Sequence, residues 1–331
     1  MTRQDRSVAG TPATYRTAIP PGTRDVLPEE MRELRAIGDR MREVFESAGY
    51  GEIHTPALEY EGVLLRGDER AAGARYRTFD DQGAVLALRS DMTIPIARVV
   101  ATRYADAEPP LRFSYVARAW RATDRGVGEP REFLQAGMEL IGVPGVEGEA
   151  EVIALTIEAL TAAGLRRHRV GVGDGALHRS LLSSFGVPEE AHLPMLEALS
   201  RRDLVDLEHQ VDALGLGSAD RDLLVRVPQL RGGPEILEEA PGVGGLQTLY
   251  EQLEARGVAD RVIFDLGLVR ELGYYTGPVF EVYDPAVGFT LGGGGRYDNL
   301  IGRFGRDLPA CGLAVDVQRV HLAQAAEEAL A

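Results

Sequence analysis

Apolar residues first recur three and four positions apart: Met31, Leu34, Ile37, Met41, Val44 and Phe45 fall on one face of a helix. Pro28 suits the first turn of that helix and Gly49 suits its end. Glu52-Ile-His-Thr-Pro-Ala-Leu58 then predicts a strand broken at Pro56, fit for a sheet edge or an interface. Thr78 to Leu88 predicts a hairpin turning at Asp80-Asp-Gln-Gly83, and Asp91 to Tyr104 a helix with a proline near its start. Leu111 to Arg121 and Glu132 to Ile141 are two strand-like runs joined by a loop rich in glycine and charge.

Glu147 to Leu165 predicts another helix, with Val152, Ile153, Leu155 and Leu160 apolar, and Arg169 to Val172 a short strand. The texture then changes. From His178 to about Gly257 the chain is leucine-rich and helical, broken at Gly186, Gly215 to Gly217 and Gly232-Gly-Pro234, which predicts a small helical insertion. Strands return at Val262 to Val269, Val279 to Tyr283, Phe289 to Gly292 and Gly312 to Val317, before a terminal helix from Gln318. Strands and hairpins interrupted by occasional helices predict an α+β fold with a mainly antiparallel sheet. Residues 1 to about 14, polar with scattered Pro and Gly, predict a mobile tail.

Composition narrows the function more than the fold. The net charge of -15 at pH 7 and a pI near 5.0 disfavour a protein built to grip nucleic acid or a membrane surface. No run approaches the ~20 apolar residues that span a bilayer, and the start has no apolar signal core. Cys311 is the single cysteine, so disulfides within the chain are impossible and a cytoplasmic setting is expected. All 36 basic residues are arginine, which excludes a lysine-bearing phosphate loop and any Schiff-base lysine. The histidines His54, His168, His178, His192, His209 and His321 show no metal-ligand spacing, so no metal is expected.

The chemistry concentrates late in the chain. Leu268-Val-Arg-Glu-Leu-Gly-Tyr-Tyr-Thr-Gly277 places an arginine and a tyrosine pair just before the apolar run Val279 to Tyr283, and Gly292-Gly-Gly-Gly-Arg-Tyr-Asp298 follows. An arginine fork suits a carboxylate, and adjacent tyrosines offer hydroxyls on flat apolar walls. The combination fits a small zwitterion.

In this order the segments resemble the class II histidyl-tRNA synthetase family over nearly all the chain after residue 14. Gly22-Thr-Arg-Asp-Val-Leu-Pro28 is similar to that family's N-terminal signature, and Glu52 to Pro56 to its dimer-interface motif 1. Trp120-Arg121 through Arg131-Glu-Phe-Leu-Gln135 to Glu139-Leu-Ile-Gly142 looks like motif 2. Leu268 to Glu281 looks like the histidine-specific segment, and Gly292 to Asp298 with Gly312 to Arg319 looks like motif 3. The resemblance implies a class II synthetase-like core in two parts, residues 15–177 and 258–331, around the insertion at 178–257. It further implies that Asp91, Thr93 and Gln135 hold an α-amino group, and that Glu139 takes an imidazole N–H with Tyr275 across the ring and Tyr274 beside it. Arg270 would meet the carboxylate, and Arg121 is the motif 2 arginine.

The nucleotide side departs from the family. Arg121-Ala-Thr123 has threonine where the family carries the adenine-contacting glutamate; Asp124 and Glu129 stand where arginines are usual. Asp316 replaces a glycine of motif 3, while Arg319, the phosphate-clamping position, is kept. Twelve residues follow Arg319, where the family continues into an anticodon-binding domain. The resemblance therefore implies a non-catalytic paralogue, without cofactor or tRNA, that dimerises through motif 1. Its partner would be the short catalytic subunit of ATP phosphoribosyltransferase, in a hetero-oligomer, with free histidine as effector. The alternatives are an adenylate-forming enzyme that charges no tRNA, and a histidine-binding module for another partner.

Overall fold

The computed structural model describes residues 18–68, 75–122, 130–269 and 274–330. Helix α1 (Pro28–Ser47) begins at its proline and buries Leu34, Ile37, Met41 and Phe45, the stripe its spacing predicts; Gly49, at φ 84°, turns the chain away. The predicted strand over Glu52 to Leu58 divides in two. Strand β1 (Gly51–Glu52) lies at the edge of the large sheet, whereas β2 (Leu58–Tyr60) belongs to a small second sheet. Between them the carbonyls of Thr55, Pro56 and Ala57 are taken by Arg89, through its guanidinium and its backbone N–H, so no ladder forms there.

Helix α2 (Glu61–Gly67) leads to the predicted hairpin, β3 (Arg77–Phe79) and β4 (Val85–Leu88), whose turn is closed by Asp80. Helix α3 (Thr93–Arg103), β5 (Leu111–Trp120), β6 (Glu132–Ile141), α4 (Val146–Ala162) and β7 (Arg169–Asp174) follow. The leucine-rich stretch forms α5 (Leu177–Ser184), α6 (Glu189–Ser200), α7 (Leu204–Ala213), α8 (Ser218–Arg226), a two-residue β8 (Arg231–Gly232) and α9 (Gly244–Ala255). The chain closes with β9 (Val262–Asp265), β10 (Pro278–Tyr283), β11 (Thr290–Arg296), β12 (Ala310–Asp316) and α10 (Val317–Ala329). Strand β11 runs through the whole glycine stretch, past the predicted stop at Gly292. Its backbone is paired on both sides, by β10 and β12, so the ladder holds residues whose propensity alone disfavours a strand.

Nine strands form one sheet in the order β1-β5-β6-β12-β11-β10-β7-β9-β8, parallel at β1·β5 and β7·β9 and antiparallel at the other pairings. The mainly antiparallel α+β architecture matches the expectation. One face packs on α1, α4 and α10 through a large apolar cluster that takes Ala136, Met138 and Leu140 of β6. Leu181, Met195, Leu207, Leu249 and neighbours from α5 to α9 share that cluster with Val170, Val172 and Phe264. The opposite face carries a smaller cluster from α3, β5 and the aromatic residues Tyr115, Tyr274 and Tyr297. No helix among the described residues is long and apolar enough to cross a membrane.

Phe264 is fully buried in β9 and meets Tyr250 of α9 edge-on, with ring centroids 6.1 Å apart. Phe264→Ala should cost about 3–5 kcal/mol. Denaturant unfolding should show that as a lower midpoint with an unchanged slope.

Candidate functional site

Alternation along β6 sends Ala136, Met138 and Leu140 to the large core and Gln135, Gly137 and Glu139 to the other face. Register fixes their neighbours. Glu139 lies between Phe113 of β5 and Gly312 of β12, and Gln135 between Ala117 and Asp316. The small residues Gly312 and Ala314, with Gly292 to Gly294 of β11, leave a hollow over the sheet centre of about 230 Å³. Seven of the eight predicted site residues line it: Asp91, Thr93, Arg121, Gln135, Glu139, Tyr274 and Tyr275. Arg270 lies outside the described residues, as do Thr123, Asp124 and Glu129.

Glu139 is the floor of this cavity and is 1% exposed. Its Oε1 accepts from the Thr93 hydroxyl at 2.8 Å and from the Tyr115 hydroxyl at 3.3 Å, and its Oε2 accepts from the Tyr297 hydroxyl. Burial raises its pKa to about 7; the hydroxyls favour the anion and offset only part of that rise, while the like charge of Asp91 adds to it. The same burial pushes the phenols of Tyr115 and Tyr297 well above their ordinary range, which keeps them as O–H donors. The Thr93 hydroxyl, which the sequence assigned to an ammonium group, donates to Glu139 and keeps its lone pairs as acceptors. Sequence reasoning did not name Tyr115 or Tyr297. The available signal was spacing: Tyr115 sits opposite Gly137, whose missing side chain admits its hydroxyl, since a Cβ there would come within 2.8 Å of that oxygen.

Two further acceptors line the cavity. Asp91 precedes α3, and its Oδ1 accepts from Ile94 N at 3.2 Å while Ser90 Oγ lies 3.3 Å from Oδ2. Burial raises the Asp91 carboxyl, and the charges of Arg121 and Arg75 pull the other way. Gln135 Oε1 is buried without a hydrogen-bond partner among the described residues. A carboxylate beside an unmet carbonyl oxygen can desolvate a small ammonium at modest cost. Tyr274 and Tyr275 form the wall, with centroids 4.9 Å apart, and Tyr274 meets Tyr297 edge-on at 5.8 Å.

At the mouth, Arg121 is exposed and lies over the Phe133 ring at 4.9 Å. Arg319 is held by its surroundings: Nη1 donates to Thr290 O at 2.8 Å, and the guanidinium lies over Phe289 at 5.6 Å, with Nε 3.8 Å from Asp316 Oδ2. Asp316 caps α10, accepting from Gln318 N at 2.8 Å and Arg319 N at 3.2 Å. Among the described residues no cluster of three His, Cys, Asp or Glu side chains is placed to hold a metal.

The sheet order, the helices on one face and the hollow on the other define a class II synthetase-like core. The family profile described as Histidyl-tRNA synthetase matches residues 22–320, and the chain belongs to that family. A solved structure titled ATP phosphoribosyltransferase regulatory subunit/histidyl-tRNA synthetase, from Bacillus halodurans, superposes with a TM-score of 0.86. It is 36% identical, covering 93% of this chain and 83% of that one. A histidine–tRNA ligase subunit from Alicyclobacillus acidocaldarius gives 0.76 at 30% identity, over 97% of this chain and 100% of that one. The ATP phosphoribosyltransferase regulatory subunit of Symbiobacterium thermophilum is 43% identical over 334 residues, 97% of this chain and 83% of the relative. That of Moorella thermoacetica is 41% identical over 317 residues, 92% and 82% respectively. By these relatives the chain falls in the regulatory-subunit branch of its family.

A Cβ on Gly312 would lie 1.8 Å from Glu139 Oε2. Gly312→Ala should therefore cost about 1–3 kcal/mol by overpacking. The same substitution made in a Glu139→Ala background should cost less, because the clashing carboxylate is gone. A double-mutant cycle in denaturant measures that coupling; simple additivity would remove Glu139 as the cause.

Proposed function

We propose that this chain is a non-catalytic histidine sensor, the regulatory subunit that activates a short catalytic subunit of ATP phosphoribosyltransferase and carries feedback inhibition by histidine to it. The reading rests on Glu139. A buried carboxylate already ordered by hydroxyls offers its remaining acceptor capacity to an N–H donor on a flat ring. Asp91 and the unmet Gln135 Oε1 supply the ammonium end, and the tyrosine pair encloses the ring. Arg121, and Arg270 from the adjoining segment, would meet the ligand carboxylate.

The mouth favours sensing over activation of the amino acid. ATP requires unopposed positive charge along its phosphates. Here Asp316 stands at the mouth, and Arg319 already serves Thr290 O and Phe289. A second reading, a histidyl-adenylate-forming enzyme, is favoured by the presence of both Arg121 and Arg319 at the same mouth. On the sensor reading the chain dimerises through its motif 1 region, residues 178–257 are an insertion on the core, and the catalytic subunit completes a hetero-oligomer. Histidine then needs only to bind one quaternary state more tightly. A coupling of about 1–3 kcal/mol suffices, and by linkage the partner's substrates weaken histidine binding by the same factor.

Mixing the purified chain with a short catalytic phosphoribosyltransferase subunit should raise the rate of phosphoribosyl-ATP formation, and histidine should suppress it. Glu139→Gln and Asp91→Asn should each raise the histidine concentration for half-inhibition at least tenfold while activation persists. No gain of activity on mixing would overturn the partner; unchanged inhibition in both variants would move the effector site elsewhere. Histidine-dependent exchange of pyrophosphate into ATP should be absent, and robust exchange would establish the adenylate-forming alternative.

A further inference from the structure

We propose that Tyr115 and Tyr297 are positioning residues that set the protonation of Glu139, so that filling the pocket expels a proton from this carboxyl and effector binding weakens in acid. The inference rests on the histidine-sensing reading and adds a proton to its bookkeeping. Three neutral hydroxyls surround Glu139, and among the described residues no ion pair compensates its charge. From the α3 side the nearest charge is Asp91, which repels the anion; Arg121 and Arg75 act on Asp91. From β12 the neighbour is Cys311, whose thiol is itself pushed up by burial. Arg296, next to Tyr297, is committed to Glu149 and Asp298. Tyr274 and Tyr275, the remaining titratable wall, are phenols.

Such a carboxyl holds its proton near neutrality, as its pKa of about 7 reflects. The arrival of a ring N–H changes the balance. The protonated acid gives its proton to solvent, the anion accepts the ring N–H, and the Tyr115, Tyr297 and Thr93 hydroxyls continue to donate to the oxygens they already hold. Hydrogen bonds to the charged form lower a carboxyl pKa, so removing either phenol hydroxyl must raise it. The sign is definite: the folded pKa lies above the ordinary carboxyl value, so ligand binding to the anion is weak below about pH 7 and strengthens as pH rises through it.

The test has two arms. Infrared difference titration of the ligand-free protein, against Glu139→Gln, should show one buried carboxyl ionising near pH 7, and its midpoint should move upward in Tyr115→Phe and in Tyr297→Phe. Calorimetry with 1,2,4-triazolylalanine, whose ring stays neutral throughout, should show binding roughly thirty-fold weaker at pH 5.5 than at pH 8. Both phenylalanine variants should shift that dependence to higher pH, which a purely structural role would not do. A Glu139 signal that is ionised at pH 5, or a midpoint indifferent to both tyrosines, overturns the proposal. Absence of histidine binding at pH 8 overturns the sensor reading instead, and the infrared arm still decides the proton.

Discussion

Removing the Glu139 carboxylate from water is the constraint around which the centre of this molecule is built. An ionised carboxylate in a low-dielectric interior is expensive unless its oxygens are met by donors. The chain meets it with hydroxyls from three separate elements: Thr93 at the start of α3, Tyr115 on β5 and Tyr297 just after β11. Those oxygens need space in a sheet whose neighbouring strands would normally fill it. Gly312 yields to the carboxylate and Gly137 to the Tyr115 hydroxyl, whereas Gly292 and Gly294 yield to the backbone of β12.

Neutral donors and a guanidinium would solve the desolvation problem differently. An arginine would lower the carboxyl pKa and close the site with a salt bridge, leaving nothing to recruit. Hydroxyls order the oxygens without cancelling the charge. They leave acceptor capacity on those oxygens unspent. The arginines of the mouth sit where they serve the ligand's other end or the protein itself: Arg121 over Phe133, Arg319 against Thr290 and Asp316.

Most of the fold was legible because it rests on long periodic segments. The stripe of α1, the paired runs of β5 and β6, and the glycine breaks among the helices from α5 to α9 each declared themselves by spacing alone. Pairing partners reshaped the local signal in two places. The strand over residues 52 to 58, read as broken at Pro56, separates into members of two sheets because Arg89 claims the carbonyls between them, and β11 continues through glycines because both neighbouring ladders hold it. Of the eight residues named from the sequence, seven line one cavity, since order along the chain set their positions. Tyr115 was not among them, because nothing local distinguishes it; its role exists only once β5 pairs with β6 and sets it across from Gly137.

The same register explains how recognition and nucleotide chemistry can part company. On β12 the partner of Glu139 is Gly312 and the partner of Gln135 is Asp316, four residues further along. At ~3.3 Å per residue the floor and the mouth stand about 13 Å apart on one strand. Changes that far apart, without shared partners, behave nearly independently. Asp316 gives α10 a cap and puts an acid at the mouth, while the Glu139 hydroxyl cage belongs to α3, β5 and the turn after β11. Substitutions at the mouth can therefore change what the mouth meets and leave the Glu139 hydroxyl cage as it is.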